Sequence, residues 1–197
     1  MKKFTFLALI ALFAVSFRAK AQIQQGNILI GSTISNLSLL LNSPNNFSFN
    51  LTPEAAWFVQ DNIAVGGYLN FGVRTASGSA TTINYGVGGL GRYYTGSDVS
   101  VLKHGRFFGE VNAGLGGVNV SGIAGSGSAN TNGFEFGFGP GFSYFVTHNI
   151  GLETLLKFNG VTGFGNNGIQ SSLSLAFGFQ IYLPGKSAAA KVQGDMK

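Results

Sequence analysis

Apolar and polar residues alternate along long stretches of this chain. In residues 46–58, Phe47, Phe49, Leu51, Ala55 and Trp57 fall on one parity, and Ser48, Asn50, Thr52 and Glu54 on the other. Successive side chains of a β-strand point to opposite faces, so this period of two predicts a strand with one greasy and one polar face. The pattern recurs in residues 133–145, where Phe134, Phe136, Phe138, Phe142 and Tyr144 alternate with Glu135, Gly137, Gly139, Gly141 and Ser143. It recurs again near the end, with Leu173, Leu175, Phe177, Phe179, Ile181 and Leu183 against Ser172, Ser174, Ala176, Gly178, Gln180 and Tyr182. Eight strands are predicted in all, over residues 26–40, 46–58, 63–75, 82–94, 105–120, 133–145, 150–158 and 169–183. Most are long for a soluble sheet and suit a tilted strand that crosses a bilayer.

One unit is written twice. Leu51-x-Pro53-x-Ala55-x-Trp57-Phe58-Val59-x-x-Asn62-Ile63-x-Val65 returns as Phe138-x-Pro140-x-Phe142-x-Tyr144-Phe145-Val146-x-x-Asn149-Ile150-x-Leu152. Each copy predicts a strand, a four-residue turn and a second strand. The turns fall at residues 59–62 and 146–149.

Alternation alone fits two barrels, one with its apolar residues inward around a lipophilic ligand and one with them outward in lipid. The polar phase decides between them. A water-facing exterior carries charge on roughly a quarter of its residues, whereas the whole chain is 10% charged and its polar phase is mostly Gly, Ser, Asn and Thr. Such small residues fit a narrow interior. The bulky phase then meets lipid, and closure of the barrel pairs every backbone group.

Residues 1–21 read as a secretory signal peptide, with Lys2 and Lys3 at the start, an apolar stretch, and Ala19-Lys20-Ala21 before the cut. The formal charge of +5 belongs largely to this leader, since removing Lys2, Lys3, Arg18 and Lys20 leaves acidic and basic residues nearly balanced. That removes the support for a nucleic-acid partner. Cysteine is absent, so no disulfide framework or thiolate metal site is available. Residues 22–184 are expected to form one barrel domain, and residues 185–197, small and charged, a mobile tail.

Catalytic signals are sparse. His104 and His148 both fall in predicted turns, and no histidine and carboxylate cluster has metal spacing, so no catalytic, cofactor or metal residues are assigned. Gly86-x-Gly88-Gly89-x-Gly91 and Gly114-x-Gly116-Gly117 superficially suggest phosphate loops, but no helix follows them. Inside strands, glycine instead leaves room for large interior neighbours.

The repeated Pro-x-x-x-(Trp/Tyr)-Phe-Val-x-x-Asn-Ile unit, Arg92-Tyr93-Tyr94 closing the fourth strand and the final alternating aromatic strand resemble the small bacterial outer-membrane β-barrels, the outer-membrane protein X and A-like family. The resemblance implies an all-β fold, an eight-stranded antiparallel up-and-down transmembrane barrel. It implies a place in the bacterial outer membrane with both chain termini periplasmic, short periplasmic turns and longer surface loops. Membrane lipid and lipopolysaccharide would surround it. Periplasmic chaperones and the outer-membrane assembly machinery would be its partners in biogenesis.

With that topology, residues 59–62, 95–104 and 146–149 are periplasmic, and residues 41–45, 76–81, 121–132 and 159–168 form the surface loops. Trp57, Tyr93 and Tyr144 then form an interfacial aromatic girdle on the apolar phase. Glu54, Glu110, Glu135 and Glu153 share the inward phase with Arg74, Arg92, Arg106 and Lys157. Counting from the turns puts Glu54, Arg92, Glu110 and Glu153 in one half of the barrel, which predicts an interior ion network centred on Arg92, because a buried carboxylate is costly unless paired. The functional expectation is a non-enzymatic barrel with an envelope-structural or surface-interaction role, its interior too filled for a general porin. Two alternatives stand beside it, an outer-membrane lipid-modifying enzyme and a soluble secreted barrel carrying a lipophilic ligand.

Overall fold

The structure, a computed structural model, describes residues 23–40, 46–76, 80–96, 104–121, 129–163 and 169–185. The predicted leader, the tail beyond Gly185 and the tips of the four predicted surface loops lie outside the described residues, as do residues 97–103 of the connection between the fourth and fifth strands.

Eight strands close on themselves in sequence order: β1 (Ile28–Leu40), β2 (Asn46–Gln60), β3 (Ile63–Ala76), β4 (Thr81–Tyr94), β5 (Gly105–Ser121), β6 (Ala129–Thr147), β7 (Ile150–Gly163) and β8 (Ile169–Leu183). Every neighbouring pair is antiparallel, and β1 pairs with β8 from Ile28↔Leu183 to Ser35↔Ala176. Closure across that seam pairs the backbone of the first and last strands over this stretch, as a barrel wall in lipid requires.

Two boundary expectations are corrected. The strand before each repeated turn runs two residues further than the alternation suggests, so each predicted four-residue turn shrinks to two residues, Asp61–Asn62 and His148–Asn149. The extra length is absorbed by matching register shifts, between Phe58 and Gln60 in β2 and between Phe145 and Thr147 in β6. Asn62 takes φ 66°, a left-handed conformation that asparagine tolerates better than most residues. At the other end, β6 begins at Ala129 and β7 continues to Gly163, so parts of two predicted loops are strand. Gly, Asn and Thr composition there looks like loop, and ladder pairing to the neighbouring strand overrides it.

The faces follow the predicted parity. Leu69, Val87, Val111, Phe138, Leu173 and Phe177 are among the large apolar residues exposed on the outer wall, whereas Glu54, Arg92, Glu110, Ser143, Glu153 and Gln180 are buried within. Trp57, Tyr93 and Tyr144 are outward at 56%, 61% and 50% exposure, all close to the end that carries the two tight turns. That end, the terminal end, is also where residues 23–27 run alongside the end of β2 and the turn that follows it. Gly26 N–H donates to the Phe58 carbonyl (2.8 Å) and Asn62 N–H to that of Ile23 (2.9 Å). Gly185, the first residue of the predicted tail, is anchored here too, its N–H donating to Asn27 Oδ1 (3.2 Å).

Candidate functional site: the barrel interior

The interior is built in layers, and the lowest is aromatic. Phe58, Tyr94, Phe108, Phe145 and Tyr182 point inward from five strands and are all buried, with Leu29, Ala56 and Ala64 beside them and Ile23 against them. Ring centroids lie 5.8 Å apart for Phe58–Tyr94, 5.3 Å for Tyr94–Phe108 and 5.1 Å for Phe145–Tyr182, within the range of favourable aromatic contact. The internal repeat explains the symmetry of this floor. Asn62 and Asn149, equivalent in the two copies, each accept a backbone N–H with their carbonyl, from Tyr94 and Tyr182 respectively, at 2.8 Å. The two tyrosine hydroxyls meet in the middle, 3.2 Å apart.

Above the floor lies the charge layer, and the structure brings together the four residues singled out from the sequence. Arg92 is directly opposite Glu110 on the next strand. Its Nε donates to Glu110 Oε2 (2.7 Å), its Nη2 to Glu54 Oε1 (2.6 Å) and its Nη1 to Glu153 Oε2 (2.8 Å). The three carboxylates come from β2, β5 and β7, so one guanidinium ties the wall together across the lumen. All four side chains are essentially without solvent contact. The planar fork of arginine suits this role because it offers donors in several fixed directions at once.

The partners around the network were not assigned from the sequence. Lys157 Nζ holds the second oxygen of Glu110 (2.8 Å), Tyr182 donates its hydroxyl to Glu153 Oε1 (2.8 Å), and Gln180 Nε2 donates to Glu54 Oε1. Beneath the guanidinium lies the Phe108 ring, 4.9 Å from Arg92 Cζ. Phe108 occupies that place because Gly141 is bare; a Cβ there would come within 2.6 Å of the ring. Gly141 stands in the second copy of the repeat where Glu54 stands in the first, so the repeat supplies a carboxylate on one side and space on the other. The signal for the missed partners was present in the parity, since Lys157, Gln180 and Tyr182 share the inward phase. Which carboxylate each would reach was not.

A third layer lies toward the other end. Tyr68 donates its hydroxyl to Glu135 Oε1 (2.7 Å) and accepts from Asn112 Nδ2 (3.0 Å), and Lys157 Nζ is 5.8 Å from its ring centre. The glycine clusters of β4 and β5 form the platform beneath. A Cβ on Gly88 or Gly114 would come within 2.7 Å of the Tyr68 side chain, and one on Gly86 or Gly116 within 2.6 Å of the Glu135 carboxylate. Their strand setting and this packing account for Gly86, Gly88, Gly114 and Gly116 without a phosphate ligand. The remaining charges are dispersed. Arg74 stands near the far end of β3, and Arg106 near the start of β5, where Nη1 donates to the Gly105 carbonyl (2.8 Å). His104 is at the terminal end edge-on to Tyr144, with ring centres 6.4 Å apart, and His148 lies in the two-residue turn.

No protein-family model matches the sequence, and no curated protein matches it. Solved structures do match in fold. Neisserial surface protein A superposes with a TM-score of 0.53 at 16% identity, covering 80% of this chain and 97% of that one. The attachment invasion locus protein Ail of Yersinia pestis gives 0.48 at 16% identity over 80% and 100% of the two chains. The N-terminal barrel domain of Pseudomonas aeruginosa OprF gives 0.46 at 16% identity over 80% and 98%. Closed eight-strand topology, an apolar outer wall and the superposition on Neisserial surface protein A together show that this chain has the fold of the small eight-stranded outer-membrane β-barrels.

Proposed function

We propose that the protein is a non-enzymatic integral barrel of the bacterial outer membrane, with an envelope-structural or surface-interaction role and a lumen closed to solutes. The observation that carries this reading is Arg92. Its guanidinium is fully buried at the centre of the lumen and bound at once to carboxylates from three strands, directly above an aromatic floor. An eight-stranded barrel is just wide enough for side chains to fill, and a layer so completely paired works as a stopper and a cross-brace. Both termini are periplasmic in this reading, the outer wall contacts membrane lipid and lipopolysaccharide, and insertion depends on periplasmic chaperones and the outer-membrane assembly machinery.

The test has two arms. Envelope fractionation with gel mobility before and after heating is expected to find a heat-modifiable protein in the outer membrane; recovery in the aqueous fraction without detergent would sink the membrane reading. In planar bilayers the purified wild-type barrel is expected to give no sustained conductance. A stable open channel from the wild type would sink the closed-lumen reading.

A further inference from the structure

We propose that the third layer of the lumen, around Glu135, is a binding site for one hard divalent cation of the Ca²⁺ type. Glu54, Glu110 and Glu153 all bind Arg92, whereas Glu135 has no ion pair among the described residues. Lys157, the cation that faces this layer, is committed to Glu110. Arg74 is exposed at the far rim, and Arg106 lies near the start of β5, before Phe108 of the aromatic floor. Between that floor and the far rim, Arg92 and Lys157 therefore face four carboxylates, an excess of two negative charges.

Two further oxygens lack a donor. Asn70 Oδ1 and Asn112 Oδ1 are both buried and accept no hydrogen bond. The orientation of Asn112 is fixed by its neighbour. Tyr68 spends its proton on Glu135 Oε1 (2.7 Å), so its hydroxyl oxygen can only accept from Asn112 Nδ2 (3.0 Å), and Oδ1 is left over. Asn70 is tied to the same place by register. Its partner on β4 is Gly86, and a Cβ there would stand 2.6 Å from Glu135 Oε1, so the carboxylate lies over that glycine beside Asn70. Buried acceptors without donors are rare in folded proteins. Water would satisfy the amides but leave the charge of Glu135 unmatched; a cation answers all three.

The kind of cation follows from the ligands. One carboxylate and two amide oxygens, with no nitrogen or sulfur ligand, suit a hard ion. Ca²⁺ accepts carboxylate, amide carbonyl and water oxygens in an adaptable geometry, whereas Mg²⁺ demands a near-ideal octahedron. Its two charges also match the excess of this stretch of lumen. Access is one-sided. Glu135, Asn70 and Asn112 are each partly exposed, while the Arg92 layer beneath them is essentially without solvent contact. The ion therefore enters from the end opposite the termini and stops above Arg92. This site stands on the inner face of the barrel and does not depend on the membrane reading.

The test is titration of the full chain, folded in detergent and freed of metal by a chelator, with CaCl₂ in a calorimeter. One Ca²⁺ per chain is expected, with a Kd on the order of 10⁻⁴–10⁻³ M, the range of sites with few charged ligands. In NMR spectra the side-chain amide signals of Asn70 and Asn112 should shift along the same isotherm. Glu135→Gln keeps an acceptor for Tyr68 and should weaken binding at least about tenfold. Asn70→Asp adds a second carboxylate and should tighten it by about tenfold, a gain that loss of folding cannot imitate. Asp61→Asn, at the exposed turn of the terminal end, should leave it unchanged. A wild type that binds no Ca²⁺, binding that survives Glu135→Gln, or an Asn70→Asp variant no tighter than wild type would each overturn the proposal.

Discussion

Glu110 and Glu135 are the same residue type on adjacent strands, both facing the lumen, yet they sit in different electrical worlds. Glu110 is buried in the terminal half, with one oxygen on Arg92 and the other on Lys157. Glu135, in the opposite half, is only partly buried and has the Tyr68 hydroxyl as its close donor. Depth is what separates them. Where water is excluded, a carboxylate persists only if cations and donors replace its hydration, whereas a carboxylate that keeps part of its hydration needs only a neutral partner. The lower layer is accordingly a multi-strand ion network, and the upper one a single phenol laid on a glycine platform.

Breaking the lower layer is expected to have the largest effect. Arg92→Ala leaves three carboxylates facing one another in a dry site, and should cost about 3–5 kcal/mol of unfolding stability in lipid vesicles. Adding Glu153→Gln to that variant should recover part of the loss, because one of the stranded charges is removed. A loss below about 1 kcal/mol for Arg92→Ala, inside the range of ordinary exposed pairs, would mean that the network is wet and that the contrast between the halves is false.

The platform is the next most sensitive element. Gly88→Ala places a methyl group 2.7 Å from Gly114 Cα and from Tyr68 Cε1, so a shift of backbone as well as of the ring is required. Overpacking of that kind is expected to cost about 1–3 kcal/mol in the same unfolding assay. Gly67→Ala, outward on the neighbouring strand with its nearest contact at 3.3 Å, is the matched control and should cost less. Equal losses for the two would show that the platform is not what positions Tyr68.

Tyr68→Phe removes one hydroxyl from the upper layer and should cost about 0.5–1.5 kcal/mol, the net value of an ordinary hydrogen bond. Smallest of all is Glu135→Gln, which keeps an acceptor for Tyr68 and should change stability by less than about 1 kcal/mol. If denaturant titration found this substitution as damaging as Arg92→Ala, depth would not be the variable that separates the two glutamates.

Much of this architecture was legible in the chain because a strand has a period of two and the barrel has only two faces. Once the bulky phase is outside, Glu54, Arg92, Glu110 and Glu153 can only be inside. Distance along a strand from a turn also fixes depth, which is why these four fall in one half and Glu135 in the other. The repeat told where the turns were, but not that they were two residues long, since Val59, Gln60, Val146 and Thr147 look like turn until a bulge lets the ladder continue past them.

What the sequence determined by itself was therefore one-dimensional: parity, depth and the position of each reversal. What only the tertiary structure decided was everything measured across the lumen. That Lys157 on β7 takes Glu110 on β5, that Arg92 on β4 reaches Glu54 on β2 and Glu153 on β7, and that Tyr94 and Tyr182 meet are contacts between strands that are not neighbours in the sheet. They depend on the radius and stagger of the closed barrel, which the ladders of all eight strands set together and no single strand encodes.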